Sequence, residues 1–251
     1  MTSTEQIFTT AGGFGGEYFD KCLSVSSDGV FNDNVSLNSN HEEADSRVWL
    51  HAFRQNMHKN ILIVSPDTDT YHIGLPLSSK YFNQIHVQLH IQTLPGKNNF
   101  LHLNSLAAKI EKDVSLRSVP ENLRCLLIQA IFIFTGCDFT SSLYGLSKQS
   151  FLKSLAKYCY FITGSHNQGH LYDFEENQKF GFNSFLRLIG CVYFDKYKSA
   201  FSEHTPEILL QKLVNVCDQS SPILHLWLSN IRGKVWARSK GEQNCAINRC
   251  S

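Results

Sequence analysis

No run of apolar residues in this chain is long enough to cross a membrane; the longest, Cys125 to Phe134, is interrupted by Gln129. A membrane partner is therefore not expected. The eight cysteines include no Cys-x-x-Cys pair, which argues against a structural zinc site. Several stand inside apolar periodic segments, as reduced buried thiols do, so the expected setting is intracellular and reducing. Net charge is nearly absent too. At +1 it carries no global nucleic-acid signature, although an acidic centre cancels a basic rim in such a sum. The first residues, Met1-Thr-Ser-Thr-Glu-Gln6, place no positive segment ahead of an apolar one, and no secretory signal is expected there. The glycine-rich stretch Gly12 to Gly16 lacks both the Gly-Lys-Ser/Thr ending of a phosphate loop and the helical pattern of a dinucleotide fingerprint, so it reads as a flexible turn.

What is present fits a globular protein. The 251 residues are 42% hydrophobic and 18% charged, enough for a full core in one domain or one domain with an appendage. The most informative stretch is Ile61-Leu-Ile-Val-Ser-Pro-Asp67-Thr-Asp69. Its four apolar, mostly β-branched residues read as a buried parallel strand, because such strands are covered on both faces and do not alternate. Asp67 and Asp69 stand two apart just beyond its end, where open α/β sheets place ligands. Two carboxylates facing one way repel, and a hard divalent cation is the usual remedy. The same residues also suit a purely structural role, as caps of a helix starting near Thr70.

Along the rest of the chain, Ile7 to Thr10 is a candidate strand, and Ser24 to Asn40 reads as a loop or linker rich in Ser, Asn and Asp. From His41 to Phe53 the pattern is helical, with acids in the first turn and a stripe of Ala44, Val48 and Ala52 beside Trp49 and Phe53. Glu43 and Asp45 differ by about 200° on a regular helix, so they share a ligand only if Glu43 sits in the first turn. Tyr71 to Tyr81 reads as a helix disturbed by Pro76. Ile85 to Gln92 alternates as a half-exposed strand with His86 and His90 on its polar face, a pair that suits a metal or plain solvent exposure. Asn99 to Leu103 returns as a second strand, and Asn104 or Ser105 caps a helix through Ile110.

Ser118-Val-Pro-Glu121 has capping-box spacing and opens an apolar, buried helix through Phe134. That helix leads to Gly136-Cys-Asp138. A further helix runs through Phe151, Leu155 and Tyr158, and beyond Tyr160 the pattern is helical: Phe182 to Tyr197, Pro206 to Cys217, Pro222 to about Ala237. His166 and His170 read as surface residues. Arg232-Gly-Lys-Val-Trp-Ala-Arg238-Ser-Lys240 mixes cations with aromatics, as nucleic-acid surfaces do and as snorkelling cations on a packed helix do.

Three acidic clusters thus end three apolar elements: Glu43 with Asp45, Asp67 with Asp69, and Asp138. Their order and wording resemble the flap endonuclease and PIN-like nuclease superfamily. Glu43-Ala-Asp45 resembles its Glu-x-Glu-Ala-type helix start, with Asp in place of the second Glu. Ser65-Pro-Asp67-Thr-Asp69 resembles its strand ending in Asp-x-Asp, and Thr135-Gly-Cys-Asp138 its Gly-x-Asp before a helix-two-turn-helix. Gly145-Leu-Ser147-Lys148 resembles the Gly-Ile-Gly turn that grips duplex DNA, with Ser147 in place of the second Gly. The phrases His41 to Asp45, Ser65 to Asp69 and Thr135 to Asp138 are similar to those of a transposon-like animal subgroup of this superfamily.

The resemblance implies an α/β, three-layer PIN-like domain with a central, mostly parallel sheet over residues 41–160, preceded by a partial strand and flexible loop over 1–40 and followed by a helical region over 161–251. It implies one or two Mg²⁺ or Mn²⁺ ions held by Glu43, Asp45, Asp67, Asp69 and Asp138, about 3.5 to 4 Å apart if there are two. The resemblance implies that those five carry the catalysis. It also implies that Gly145, Ser147 and Lys148 contact nucleic acid, DNA ahead of RNA, that the reaction is phosphodiester hydrolysis, and that the nucleus is one compartment open to the protein. The superfamily's domain opens with a strand bearing another metal-binding Asp. No such strand precedes Ile7, and Asp20, Asp28 and Asp33 lie in loop-like sequence, so the chain reads as the later part of such a domain with its opening strand missing, a strand that a partner chain could supply. The alternative is a catalytically inactive remnant that binds nucleic acid or protein.

Overall fold

The computed structural model describes residues 7–11, 16, 20–39, 44–54, 60–82, 88–92, 100–136, 143, 145–163, 174–214 and 227–233. The chain is mixed α/β and divides into two compact units, Met1–Lys109 and Ile110–Ser251. The boundary falls inside the segment 41–160 that the sequence reads as one core.

In the first unit, β1 (Ile7–Ala11), β2 (Cys22–Ser26) and β3 (Phe31–Asp33) form an antiparallel meander in that order. This corrects the reading of Ser24 to Asn40 as a loop. Polar strand residues hid the ladder: Ser24 faces Thr9 across the pair with hydroxyls 3.1 Å apart, and Ser26–Val30 closes a tight turn around the Asp28 carboxylate. Asp33 accordingly stands in a strand, where Lys21 lies 3.0 Å away and holds its carboxyl below the usual range.

The second sheet has the order β4 (Asn60–Val64), β5 (Gln88–Gln92), β6 (Phe100–His102). β4 and β5 run parallel and β6 runs antiparallel to β5. Among the described residues the sheets are thus largely antiparallel, not mostly parallel as expected. Short connections such as the turn after Ser26 allow only antiparallel pairing, whereas the β4–β5 crossover has room for a helix. The expectation that β4 is covered on both faces is also corrected. Ile63 and its register partner Ile91 are buried, but Leu62 and Val64 are 54% and 52% exposed. An apolar run at a sheet edge reads the same whether one face or both are covered.

α1 (Ala44–Arg54) and α2 (Thr68–Leu77) pack against each other. Of the anticipated stripe on α1, Trp49 and Ala52 are buried, while Ala44 and Phe53 are exposed. The Trp49 indole donates to the Thr70 carbonyl at 2.9 Å, tying α1 to the start of α2. Pro76 sits in the last turn of α2, and a π turn, Ser78–Phe82, follows it. α3 (Leu103–Glu111) is capped by neither Asn104 nor Ser105: the Ser105 N–H donates to Nδ1 of His102.

The second unit is helical. α4 (Glu121–Phe134), α5 (Lys148–Thr163) and α6 (Phe174–Lys196) enclose a core that includes Leu127, Ile131, Phe151, Ile162 and Leu188, and α7 (Pro206–Val214) packs Leu209 into a second cluster with Phe194, Phe201, Trp227 and Ile231. The capping box expected at Ser118 does not form. Pro120 begins α4, and the Ser118 hydroxyl turns instead to Cys159 Sγ and Thr163 Oγ1. Arg124 is buried on α4, with its guanidinium donating to the carbonyls of Val119, Glu111 and Asp113. α5 and α6 are joined by Asp195, which accepts from Lys157 Nζ at 2.6 Å and from the Tyr158 hydroxyl at 2.8 Å. Burial and that carboxylate push the Tyr158 hydroxyl up to about 12.

Among the described residues no helix is long and apolar enough to cross a membrane. Cys22, Cys125, Cys159 and Cys191 are free and buried. Burial raises all four thiols, Cys125 to about 12, so they pack as small apolar groups.

Candidate functional site

The candidate site forms where β4 gives way to α2. Pro66 ends the strand, and Asp67 takes an extended conformation with its carboxylate accepting the Asp69 N–H at 3.0 Å. Asp67 therefore caps α2. The Asp67 N–H in turn donates to Ser65 Oγ at 3.2 Å, so the Ser-Pro-Asp turn is closed by its own side chains.

Thr70, fully buried, is the centre of the arrangement. Its hydroxyl donates to the Asp45 carboxylate at 2.6 Å and lies 2.8 Å from Ser65 Oγ. Asp45 stands in the first turn of α1, so this one hydroxyl brings α1 to the end of β4. Thr70 consequently ties Asp45 of α1 to the turn that carries Ser65, Asp67 and Asp69. The field of Asp67 reaches Tyr71, whose hydroxyl is raised first by burial and then by that carboxylate.

Glu43 and Asp138 lie outside the described residues, as do His41 and Cys137. What is described of the third motif is its hinge: α4 ends at Thr135, and Gly136 turns the chain at φ 109°, a conformation that favours glycine. The donors at the turn are carboxylate and hydroxyl oxygens, the type that Mg²⁺ and Mn²⁺ take. Among the described residues, however, no group of three or more His, Cys, Asp or Glu side chains is gathered as a metal site would need. The donor type fits a hard cation, and the ligand number is short without Glu43.

The candidate nucleic-acid turn lies in the second unit. Gly145 has φ +74°, and its carbonyl accepts from Lys196 Nζ. Ser147 caps α5, its hydroxyl accepting the Ser150 N–H at 3.2 Å. Lys148, the first residue of α5, places its ammonium 3.2 Å from the centre of the Phe132 ring. Lys148 is thus engaged with an aromatic face, and Lys196 from α6 joins it as a second cation at the same turn. Lys196 was not legible as a partner, because 51 positions separate it from Gly145.

Of the histidines singled out by sequence, His86, His166 and His170 lie outside the described residues, as does the Trp236 segment. His90 does face another histidine. Its ring centroid is 4.8 Å from that of His102 on β6, directly opposite in the register.

The chain matches no protein-family model, no curated protein and no solved structure.

Proposed function

We propose that the chain is a divalent-cation-dependent, nuclease-like protein that acts on nucleic acid, DNA ahead of RNA, with β4, α2 and β5 as part of a PIN-like three-layer core. The observation that carries this reading is the Thr70 bridge, because it draws Asp45 from a separate helix to the Asp67–Asp69 turn at the carboxyl end of a parallel strand. Helix capping alone gives no reason for a buried hydroxyl to hold a carboxylate from another element there.

On this reading Asp45, Asp67 and Asp69 would hold Mg²⁺ or Mn²⁺ together with Glu43. When bound, the ion would activate water and offset charge on the phosphodiester. The chain's own residues position the acids: Ser65 closes the turn, Thr70 orients Asp45, and Asp67 fixes the start of α2. The Gly145–Lys148 turn would take backbone phosphate on Lys196, Lys148 and the amides at the start of α5.

A second reading is favoured by one bond. The Asp67 carboxylate already serves as the cap of α2, and a chain whose acids do only that is an inactive, nucleic-acid-binding remnant. Calorimetric Mn²⁺ titration of the wild type beside Asp67→Asn/Asp69→Asn, with cleavage of a flap DNA on the same samples, separates the two. Asn caps a helix about as well as Asp, so the variant keeps its fold. Saturable binding that the variant loses, with cleavage, is expected. Absence of binding in the folded wild type would leave the remnant.

A further inference from the structure

The second unit holds a cavity that the acidic turn does not use. It measures ≈ 470 Å³ and opens between the 3-10 turn Val114–Leu116, the residues that follow it, and the C-terminal half of α5. That volume lies within the range of small-molecule sites, roughly 300 to 1,000 Å³. Its lining divides by chemistry. Arg117 and the hydroxyl-bearing Ser115 and Ser118 stand on the loop, and Ala156, Cys159 and Tyr160 on the helix.

Two of these side chains stand open to a ligand. Tyr160 is 66% exposed on the solvent face of α5, in line with Ala156 and Lys157. Arg117 makes no ion pair among the described residues. A ring face open to solvent stacks on any planar base, and a guanidinium pairs with phosphate in a fork geometry that an ammonium lacks. The floor is chemically quiet. Burial raises the Cys159 thiol, and its sulfur accepts from Ser118 Oγ at 3.1 Å, so it is a packing surface and not a nucleophile.

The charged side chain of the lining, Arg117, favours an anion, and two charges stand behind the lining. Arg124, buried beneath the loop, reaches Cys159 with its positive field. Asp113 is the opposing carboxylate. It is committed to the Ser115 N–H at 2.8 Å and is held below the usual carboxylate range first by its bonds to Ser115. A loop carrying Arg117 in front and Arg124 behind therefore outweighs its one acid.

From these observations we infer that the cavity is a nucleotide site, with a base stacked on Tyr160 against Val114 and a phosphate on Arg117. Val114, 82% exposed on the rim, supplies the apolar edge that such a stack covers. A free mononucleotide and a nucleotide within a strand present the same chemistry, and the assay distinguishes them. The inference stands apart from the cation reading of the acidic turn, because it is tested with divalent cations removed.

The test titrates the full chain, in EDTA, with adenosine monophosphate by calorimetry and with a fluorescein-labelled twelve-residue oligothymidylate by anisotropy. Arg117→Ala and Tyr160→Ala are measured alongside Tyr160→Phe, and circular dichroism establishes that each variant is folded. Both residues are exposed, so their loss leaves the core intact. The expected result is binding of at least one probe, weakened about ten-fold or more in Arg117→Ala and Tyr160→Ala and retained in Tyr160→Phe. Binding of the mononucleotide identifies a free ligand, and binding of the oligonucleotide alone a strand. No binding of either probe, or binding that both alanine variants leave unchanged, overturns the inference.

Discussion

At the scale of the residue, small groups decide as much as large ones. Gly74 on α2 lies against the Trp49 ring and Leu103, so a Cβ there would fall inside the indole. Both neighbours are buried and have no room to retreat. Gly74→Ala gains about 1 kcal/mol of helix propensity, but overpacking of this kind costs about 1 to 3 kcal/mol, and backbone bonded to Trp49 through Thr70 cannot shift freely. The expected net effect is a loss of stability, read as a lower urea midpoint with an unchanged slope. A midpoint equal to or above that of the wild type would mean that the ring has space to move. The acids Asp67 and Asp69 were legible because a strand that stops in carboxylates is a local pattern. Thr70 was not. Its importance comes from two partners, one of them 25 positions away, and a threonine early in a helix carries no mark of that. Arg124 was hidden in the same way: its position suits an exposed cation, and only the three carbonyls it reaches explain its burial.

At the scale of the element, the strand ends and helix spans of regular periodicity were legible, and the elements built from polar residues were not. β2 and β3 pass for linker because Ser, Asn and Asp interrupt their apolar residues, yet their ladder is closed by hydroxyls, by Lys21 with Asp33 and by the Asn38 side chain on the Cys22 N–H. Helix α1 lies against this meander, and its His51 carries a pH dependence. Burial, and then the charge of Arg47, lower the pKa of His51 below its ordinary 6.5. His102 is lowered likewise, by burial and then by His90. A lowered folded-state value means that the unfolded chain binds protons more readily. The stability these rings contribute is therefore complete above about pH 6.5 and is lost as pH falls through their folded-state values. Urea midpoints followed by tryptophan fluorescence are expected to fall between pH 7.5 and pH 5, and to fall less in His51→Gln. An equal fall in that variant would assign the dependence to other groups.

At the scale of the whole molecule, the sequence suggests one nuclease-like core followed by a helical region, whereas the chain is divided between Lys109 and Ile110. The division was not legible because α3 runs across it as a single amphipathic helix with no Pro, Gly or linker composition to mark a boundary. Each unit buries a tryptophan among its own apolar residues. Trp49 is buried in the first with Leu75 and Phe82, and Trp227 in the second with Phe194, Phe201 and Ile231. Each tryptophan also rests on a glycine, since a Cβ on Gly190 would collide with Trp227 as one on Gly74 would with Trp49. These paired sites allow the units to be perturbed one at a time. In a Trp49→Phe background the indole signal reports the second unit, and Gly190→Ala is expected to lower its urea midpoint by the equivalent of about 1 to 3 kcal/mol while Gly74→Ala leaves it within about 0.5 kcal/mol. In a Trp227→Phe/Trp236→Phe background, which leaves Trp49 as the one indole of the chain, the two substitutions should exchange effects. Cores that fold separately must show this reciprocity, because a substitution alters only the transition of the unit whose contacts it breaks. If either substitution moved both transitions equally, the chain would unfold as one cooperative body, and the two compact units would be a feature of its contacts and not of its energetics.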